Sequence, residues 1–144
     1  MFLGTHQPKL DEKGRFFLPA KFREELAEGL VISRGQDRCL TIYPEAVFAG
    51  IARQMASGPS TVKQVRDFQR MLAAGASNEV PDKQGRVTIP PQLRRYAGLD
   101  KEIVVVGAID RVEVWDATAW ETYSTEQESV FAEMNDEVFP GLTQ

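Results

Sequence analysis

The sequence contains two copies of one short segment, and this repeat constrains the fold more than any other feature. Residues 10–23 align with residues 81–94 at a constant offset of 71 positions. Three of the aligned pairs match in apolar character, and five are identical: Asp11/Asp82, Gly14/Gly85, Arg15/Arg86, Pro19/Pro90 and Arg23/Arg94. Because internal repeats correspond to repeated structural units, this chain of 144 residues is predicted to contain two small related units.

Each copy predicts the same series of β-rich elements. In the Asp-x-x-Gly-Arg motif, the Asp side chain can accept hydrogen bonds from the amides that follow it, and Gly can adopt the positive φ that closes a hairpin. A β-prone segment comes next, and then Pro19 or Pro90, which suits the first turn of a helix. Both copies continue with a Gly-Leu pair, a β-branched strand, an Asp-Arg turn and a last strand that ends in Tyr43 or Trp115.

A unit this small cannot bury a sufficient core alone. The two units are therefore predicted to pack together in an α+β fold, as one β core with pseudo-two-fold symmetry and peripheral helices. We expect a first unit at 5–47, a helical connector at 48–75, a second unit at 76–119 and an acidic helical tail at 120–144. Helices are predicted at about 45–56, from a Ser60 cap to about residue 74, and over 117–138 as one helix or two.

The net charge of −4 is unevenly distributed. Residues 113–144 contain eight acidic residues and no Lys or Arg, so the first 112 residues carry a net charge of +4. The basic residues cluster around the two motifs: Lys9, Lys13, Arg15, Lys21 and Arg23 in the first copy, and Lys83, Arg86, Arg94 and Arg95 in the second. Because arginine suits bidentate contacts with phosphate or guanine, these clusters predict a DNA-binding face.

A structural interpretation of the motif arginines stands beside this one. Arg15 and Arg86 could instead pair with Asp11, Asp82 or another acid and lock the hairpin. The acidic segment also has two interpretations, since it could restrain non-specific binding by the basic face or simply be solvated.

The residue inventory argues against an enzyme or a metal site. His6 and Cys39 are the only histidine and the only cysteine, so one chain can form neither a Cys/His zinc cluster nor a disulfide. Cys39 is predicted to be a buried apolar residue, and His6 an ordinary polar residue near a strand start. The sequence has no P-loop, dinucleotide or nucleophile motif, and no cofactor is expected. Without an apolar run of membrane-span length or a signal-peptide pattern, the expected location is the cytoplasm.

The segment from Asp82 to Leu99 resembles the signature of SpoVT/AbrB-type DNA-binding domains. Two tandem copies after a Met-Phe-Leu-Gly start resemble the MraZ family of transcriptional regulators, and the resemblance extends to about Trp120. It implies a swapped-hairpin, double-split β-barrel in which paired units interlock. It also implies a nucleoid-associated bacterial regulator of a division and cell-wall gene cluster, which assembles into a homo-oligomeric ring and binds short direct repeats in double-stranded DNA. Neither a small-molecule substrate nor a membrane partner is expected.

The resemblance assigns the DNA contacts to the motif arginines. Together with the charge clusters, it predicts this DNA-binding set: Arg15, Arg86, Lys13, Lys83, Arg23, Arg94, Arg95 and Lys9. The turns themselves are expected to be shaped by Asp11, Gly14, Asp82 and Gly85. Glu24 occupies the position in the first copy that Arg95 occupies in the second, so we expect the two basic faces to be unequal.

Two other functions remain open from the residues. The first is an antitoxin of the same fold superfamily, which would bind DNA and neutralise a toxin, although such antitoxins usually have one unit and a disordered tail. The second is a scaffold in which oligomerisation is the function and DNA binding is incidental.

Overall fold

The computed structural model describes residues 1–135 and 137–142, and none of the helices in this part of the chain is long and apolar enough to span a membrane. The first half contains β1 (Thr5–His6), β2 (Arg15–Phe17), a 3-10 turn (Ala20–Phe22) leading into α1 (Arg23–Leu26), β3 (Leu30–Arg34), a 3-10 turn (Gln36–Arg38), β4 (Leu40–Pro44), α2 (Glu45–Ala56) and α3 (Lys63–Gly75). The second half contains β5 (Ser77–Glu79), β6 (Arg86–Thr88), α4 (Pro91–Tyr96), β7 (Ile103–Gly107), β8 (Val112–Asp116) and α5 (Ala117–Ala132). The predicted α+β class is confirmed.

Six strands form one antiparallel sheet in which the two repeats exchange strands. The order is β1-β7-β8-β4-β3-β5, so β1 of the first repeat pairs with β7 of the second, and β5 of the second pairs with β3 of the first. At the centre of the sheet, β4 pairs with β8 so that Thr41 lies opposite Glu113, the residue at the corresponding position of the other repeat. Each half of the sheet is therefore completed by a strand from the other repeat.

The two copies of the motif meet in a separate two-stranded ribbon made of β2 and β6. Phe16 lies opposite Val87, which is its counterpart at the offset of 71. Arg15 lies opposite Thr88, and Phe17 lies opposite Arg86. This pairing is unchanged when the two repeats are exchanged, so a local pseudo-two-fold axis passes through the ribbon between Phe16 and Val87.

A single apolar core lies between the inner face of the sheet and the β2–β6 ribbon. Side chains alternate between the two faces of a strand, and the inward ones from both repeats join one cluster together with the short helices. Its buried members include Phe16, Leu18, Phe22, Leu26, Ile32, Ile42, Val87, Ile89, Leu93, Ile103, Val105 and Val114. The core is therefore shared by both repeats, as the small size of each unit predicts.

The three long helices α2, α3 and α5 cover the outer face of the sheet. Trp115 on β8 packs against Trp120 and Tyr123 of α5, with ring centroids 5.2 and 4.8 Å apart. Cys39 lies buried in this cluster, and burial raises the pKa of its thiol to about 12. Because the thiolate is the reactive form, Cys39 is an apolar packing residue, as predicted. His6 lies on β1, also as predicted, with its ring nearly perpendicular to that of Phe22 at a centroid distance of 5.3 Å.

The helix boundaries correct two predictions. The bounds of α2 match the predicted 45–56. However, α3 begins at Lys63 rather than after a Ser60 cap, because the amide of Val62 donates to the Pro59 carbonyl (3.1 Å) in a separate turn. The helix predicted over 117–138 ends at Ala132, where the amide of Glu133 donates three residues back to the Val130 carbonyl at 3.2 Å. Residues 136, 143 and 144 of the predicted tail lie outside the described residues.

Candidate nucleic-acid interface

The two Asp-x-x-Gly-Arg turns have nearly the same geometry. Asp11 Oδ1 accepts hydrogen bonds from the amides of Lys13 (2.9 Å) and Arg15 (2.8 Å). In the second copy, Asp82 Oδ1 accepts from the amides of Gln84 (2.9 Å) and Arg86 (2.8 Å). These hydrogen bonds explain why the local sequence alone produces the same turn twice.

Each motif arginine is held by the aspartate of its own turn through one nitrogen. The Nε–H of Arg15 donates to Asp11 Oδ2, and the Nε–H of Arg86 donates to Asp82 Oδ2, both at 2.8 Å. The amide and side-chain hydrogen bonds from the arginine lower the pKa of each aspartate. Within the described residues, neither arginine donates a hydrogen bond from its Nη groups. The aspartate can therefore orient the guanidinium of the arginine, while the two Nη atoms of that guanidinium remain available to a ligand.

The outer face of the ribbon, hereafter the ribbon face, consists of Arg15, Phe17, Arg86 and Thr88. These four residues project away from the core because Phe16 and Val87 project into it. Arg15 and Arg86 are diagonal neighbours across the strand pair, a relationship that places Cα atoms about 7–8 Å apart. The ribbon face thus presents two oriented cations, placed diagonally across the strand pair.

Phe17 is the member of the ribbon face that sequence reasoning missed. Its side chain is 51% exposed, and Arg86 Cζ lies 6.0 Å from the ring centroid. In the sequence, Phe17 stands out only as part of the β-prone segment that follows the first motif. The alternation of the strand was the available signal, since Phe16 and Leu18 on either side are both buried.

Arg23 and Arg94 each pack against the turn of the other repeat. A Cβ atom at Gly14 would lie 2.7 Å from Arg94 Cζ, and one at Gly85 would lie 2.7 Å from Arg23 Nε. The φ values of +78° and +81° favour glycine at both turns, and a side chain there would also displace the guanidinium end of the opposite arginine. Arg23 Nε donates to the Leu18 carbonyl at 3.0 Å, whereas Arg94 Nε is buried without a partner among the described residues.

The remaining predicted DNA-binding residues occupy unequal positions in the two repeats. Lys13, Lys83 and Arg95 are exposed. The position equivalent to Lys13 in the second repeat is occupied by the uncharged residue Gln84, so the positive charge there is not repeated. Glu24, the counterpart of Arg95, is also exposed. Lys9 lies at a β-bridge with Glu102 and pairs with its carboxylate at 3.5 Å. The structure thus brings Arg15, Arg86, Arg23 and Arg94 together at the turns and leaves Lys9 engaged with Glu102.

Comparison with known proteins identifies the family. The profile of the family described as "MraZ protein, putative antitoxin-like" matches the chain twice, at residues 1–71 and 72–139. The chain is 73% identical over 139 residues to the "Transcriptional regulator MraZ" of Cutibacterium acnes, covering 96% of this chain and 98% of that protein. Proteins of the same name from Thermobifida fusca and Kocuria rhizophila are 58% identical over 142 residues, covering 99% of each chain. This chain therefore belongs to the MraZ family.

Proposed function

We propose that this protein is a sequence-specific DNA-binding transcriptional regulator that contacts DNA through the ribbon face and its two flanking turns. The observation that carries the proposal is the pair of motif arginines. Each is oriented by an aspartate through Nε alone, and the outer nitrogens are the ones suited to phosphate or guanine. The relatives are named transcriptional regulators, and the exchanged strands are consistent with the swapped-hairpin barrel of SpoVT/AbrB-type domains.

The other predicted DNA contacts fall into three groups around this pair. Lys13, Lys83 and Arg95 are exposed and can approach phosphates directly. Arg23 and Arg94 lie across the turns, so they support the turn backbone and add charge beside it. Lys9, because it pairs with Glu102, contributes least to binding in this proposal.

The distribution of charge between the faces of the molecule supports the same orientation on DNA. The ribbon face is basic and lies on one side of the sheet. On the other side, α5 carries Glu121, Glu126 and Glu128 and no basic residue. A charge separation of this kind steers the basic side toward a polyanion and the acidic side away from it.

A DNA titration with controlled salt tests this function. A fluorescent duplex from the region upstream of the protein's own coding sequence is compared with a scrambled duplex of equal length and composition. We expect the upstream duplex to bind about 10³-fold more tightly, and log K to fall linearly with log salt because phosphate contacts release counterions. Equal affinity for the two duplexes would contradict specific regulation and favour the scaffold function.

The assembled form that we propose is a homo-oligomeric ring, which engages short direct repeats. It would act in the cytoplasm, on the nucleoid, as a repressor or autoregulator of a division and cell-wall gene cluster. Two apolar surfaces on the outer face support self-association: the end of α5, where Val130 and Phe131 are exposed, and a groove of about 360 Å³ between α2 and α3 lined by Phe48, Met55 and Leu72.

The charges around these two surfaces are complementary. Residues 45–75 carry four basic residues and two acidic ones, whereas α5 is acidic. A contact between two different surfaces is heterologous, and repeated heterologous contacts close into a ring when the rotation permits. Several ribbon faces in one assembly could then hold tandem sites together, because each bound site raises the effective concentration of the next.

Native mass spectrometry of two α5 variants tests the contact between copies. The change Phe131→Asp places a charge in the proposed interface and is expected to shift the multimer toward monomers. Ser129→Asp adds the same charge at another exposed position of α5 and should leave more of the assembly intact. A wild-type chain that is monomeric would contradict the ring. In that case the exposed end of α5 would be available to bind a different protein, as the antitoxin function requires.

A further inference from the structure

We propose that Phe17 contacts the 5-methyl group of a thymine in the major groove, and that Thr88 at the equivalent position makes one protomer recognise an asymmetric DNA site. This inference rests on the proposed function, since it requires the ribbon face to lie on DNA. It adds a base-reading residue to a face whose predicted contacts were all charged.

The position of Phe17 is the first observation. The side chain is 51% exposed although both of its neighbours along the chain, Phe16 and Leu18, are only 1% exposed. It lies opposite Arg86 and on the same face as Arg15. A large apolar side chain adjacent to both oriented cations would therefore be buried whenever those cations contact DNA.

The chemistry of the DNA major groove determines which base Phe17 could contact. The major groove of B-DNA admits a two-stranded β-ribbon, and the base edges there carry hydrogen-bonding groups plus one apolar group, the thymine methyl. The phenyl ring has no hydrogen-bonding group. Thymine is therefore the base that offers it a favourable contact, while Arg15 and Arg86 are suited to the O6 and N7 atoms of guanine.

The exchange of the two repeats is the second observation. Across the pseudo-two-fold axis, Arg15 exchanges with Arg86, so the two arginines can make the same contact in both halves of a site. Phe17 exchanges with Thr88, which has a smaller methyl group and a hydroxyl that can bond to several bases. On the ribbon face, symmetry is thus retained at the two motif arginines and broken at Phe17 and Thr88, so a protomer has one preferred orientation on its site.

Replacement of thymine by uracil tests the contact without changing base pairing. The upstream duplex is amplified with either thymidine or deoxyuridine triphosphate, and both forms are titrated with the wild type, with Phe17→Ser and with Thr88→Val. Loss of one buried methyl group is expected to weaken wild-type binding about fourfold for each contacted thymine. Phe17→Ser, which has no methyl group, should bind the thymine form more weakly than the wild type does, and should bind its two forms within about twofold of each other.

The remaining variant and outcomes separate this inference from the proposed function. Thr88→Val changes the same face but keeps Phe17, so it should retain the preference for thymine. Equal binding of both forms by the wild type would overturn the methyl contact, and so would an unchanged thymine preference in Phe17→Ser. If the wild type fails to distinguish the thymine form from a scrambled duplex, the proposed function fails instead.

Discussion

Replacement of Arg15 and Arg86 together by alanine should lower the affinity for the upstream duplex at least about 30-fold, because each loses a contact of the strength of a specific arginine–base pair. The salt dependence should also fall, by about one in slope for each phosphate contact removed. Anisotropy titrations at several salt concentrations measure both effects, and circular dichroism checks that the variant is folded.

The fold should survive this substitution. Asp11 and Asp82 each keep the two amide hydrogen bonds that shape the turn, and the lost ion pairs are at the surface, where such pairs contribute little to stability. If the double variant unfolds, the arginines act mainly as braces for the hairpins. If it folds and binds DNA as the wild type does, the contact assignment is wrong.

Two control variants separate charge from geometry in this experiment. Lysine at both positions keeps the charge but lacks the planar guanidinium, so the salt slope should persist while specificity falls. Alanine at Arg53 and Lys63 removes the same total charge from α2 and α3 on the outer face of the sheet. This second control should bind DNA far better than the motif variant. Its oligomeric state is checked by native mass spectrometry, because these helices line the proposed contact between copies.

Replacement of Phe22 by alanine should lower the free energy of unfolding by about 3–5 kcal/mol, the usual cost of deleting a buried phenyl ring. Phe22 has no solvent-exposed area, and its ring forms T-shaped pairs with Phe2 and His6 at centroid distances of 5.4 and 5.3 Å. In a chain of this size the melting temperature should fall by about 10 °C. Urea and thermal unfolding measure the two quantities.

The shape of that unfolding transition is part of the prediction. Because the repeats exchange strands and share one core, the whole chain should unfold in a single step, although Phe22 belongs to the first repeat. The control is Phe17→Ala, which removes the same side chain from an exposed position and should change stability little. Two separate transitions in the Phe22 variant would contradict a shared core.

Local features of this protein followed from its sequence. The Asp11 turn depends on hydrogen bonds to amides within four residues, so the same five-residue motif produces it again at Asp82. The bounds of α2 were predictable because Pro44 and Ser57 flank an amphipathic segment. The end of α5 was less predictable, since the residues beyond Ala132 continue the apolar and acidic composition of the helix.

The site was only partly predictable, because its geometry depends on contacts between residues far apart in the sequence as well as on local ones. The sequence indicated that Arg15 and Arg86 either brace the hairpin or bind DNA. In the structure they brace it through Nε, and their outer nitrogens remain available for the proposed binding. Phe17 was missed because the side of a strand that faces solvent depends on where the core lies, and a shift of one residue would have reversed it.

The sequence by itself determined the repeat, the two turns and the uneven charge, because each depends on residue types or on contacts a few residues apart. Only the tertiary structure decided that each repeat gives a strand to the other half of the sheet, that Arg94 packs on Gly14 of the opposite turn, and that Phe17 lies opposite Arg86 on the face that also carries Arg15. These features join residues that are 45 to 101 positions apart, and such pairings are decided by which packing buries the most apolar surface in one core.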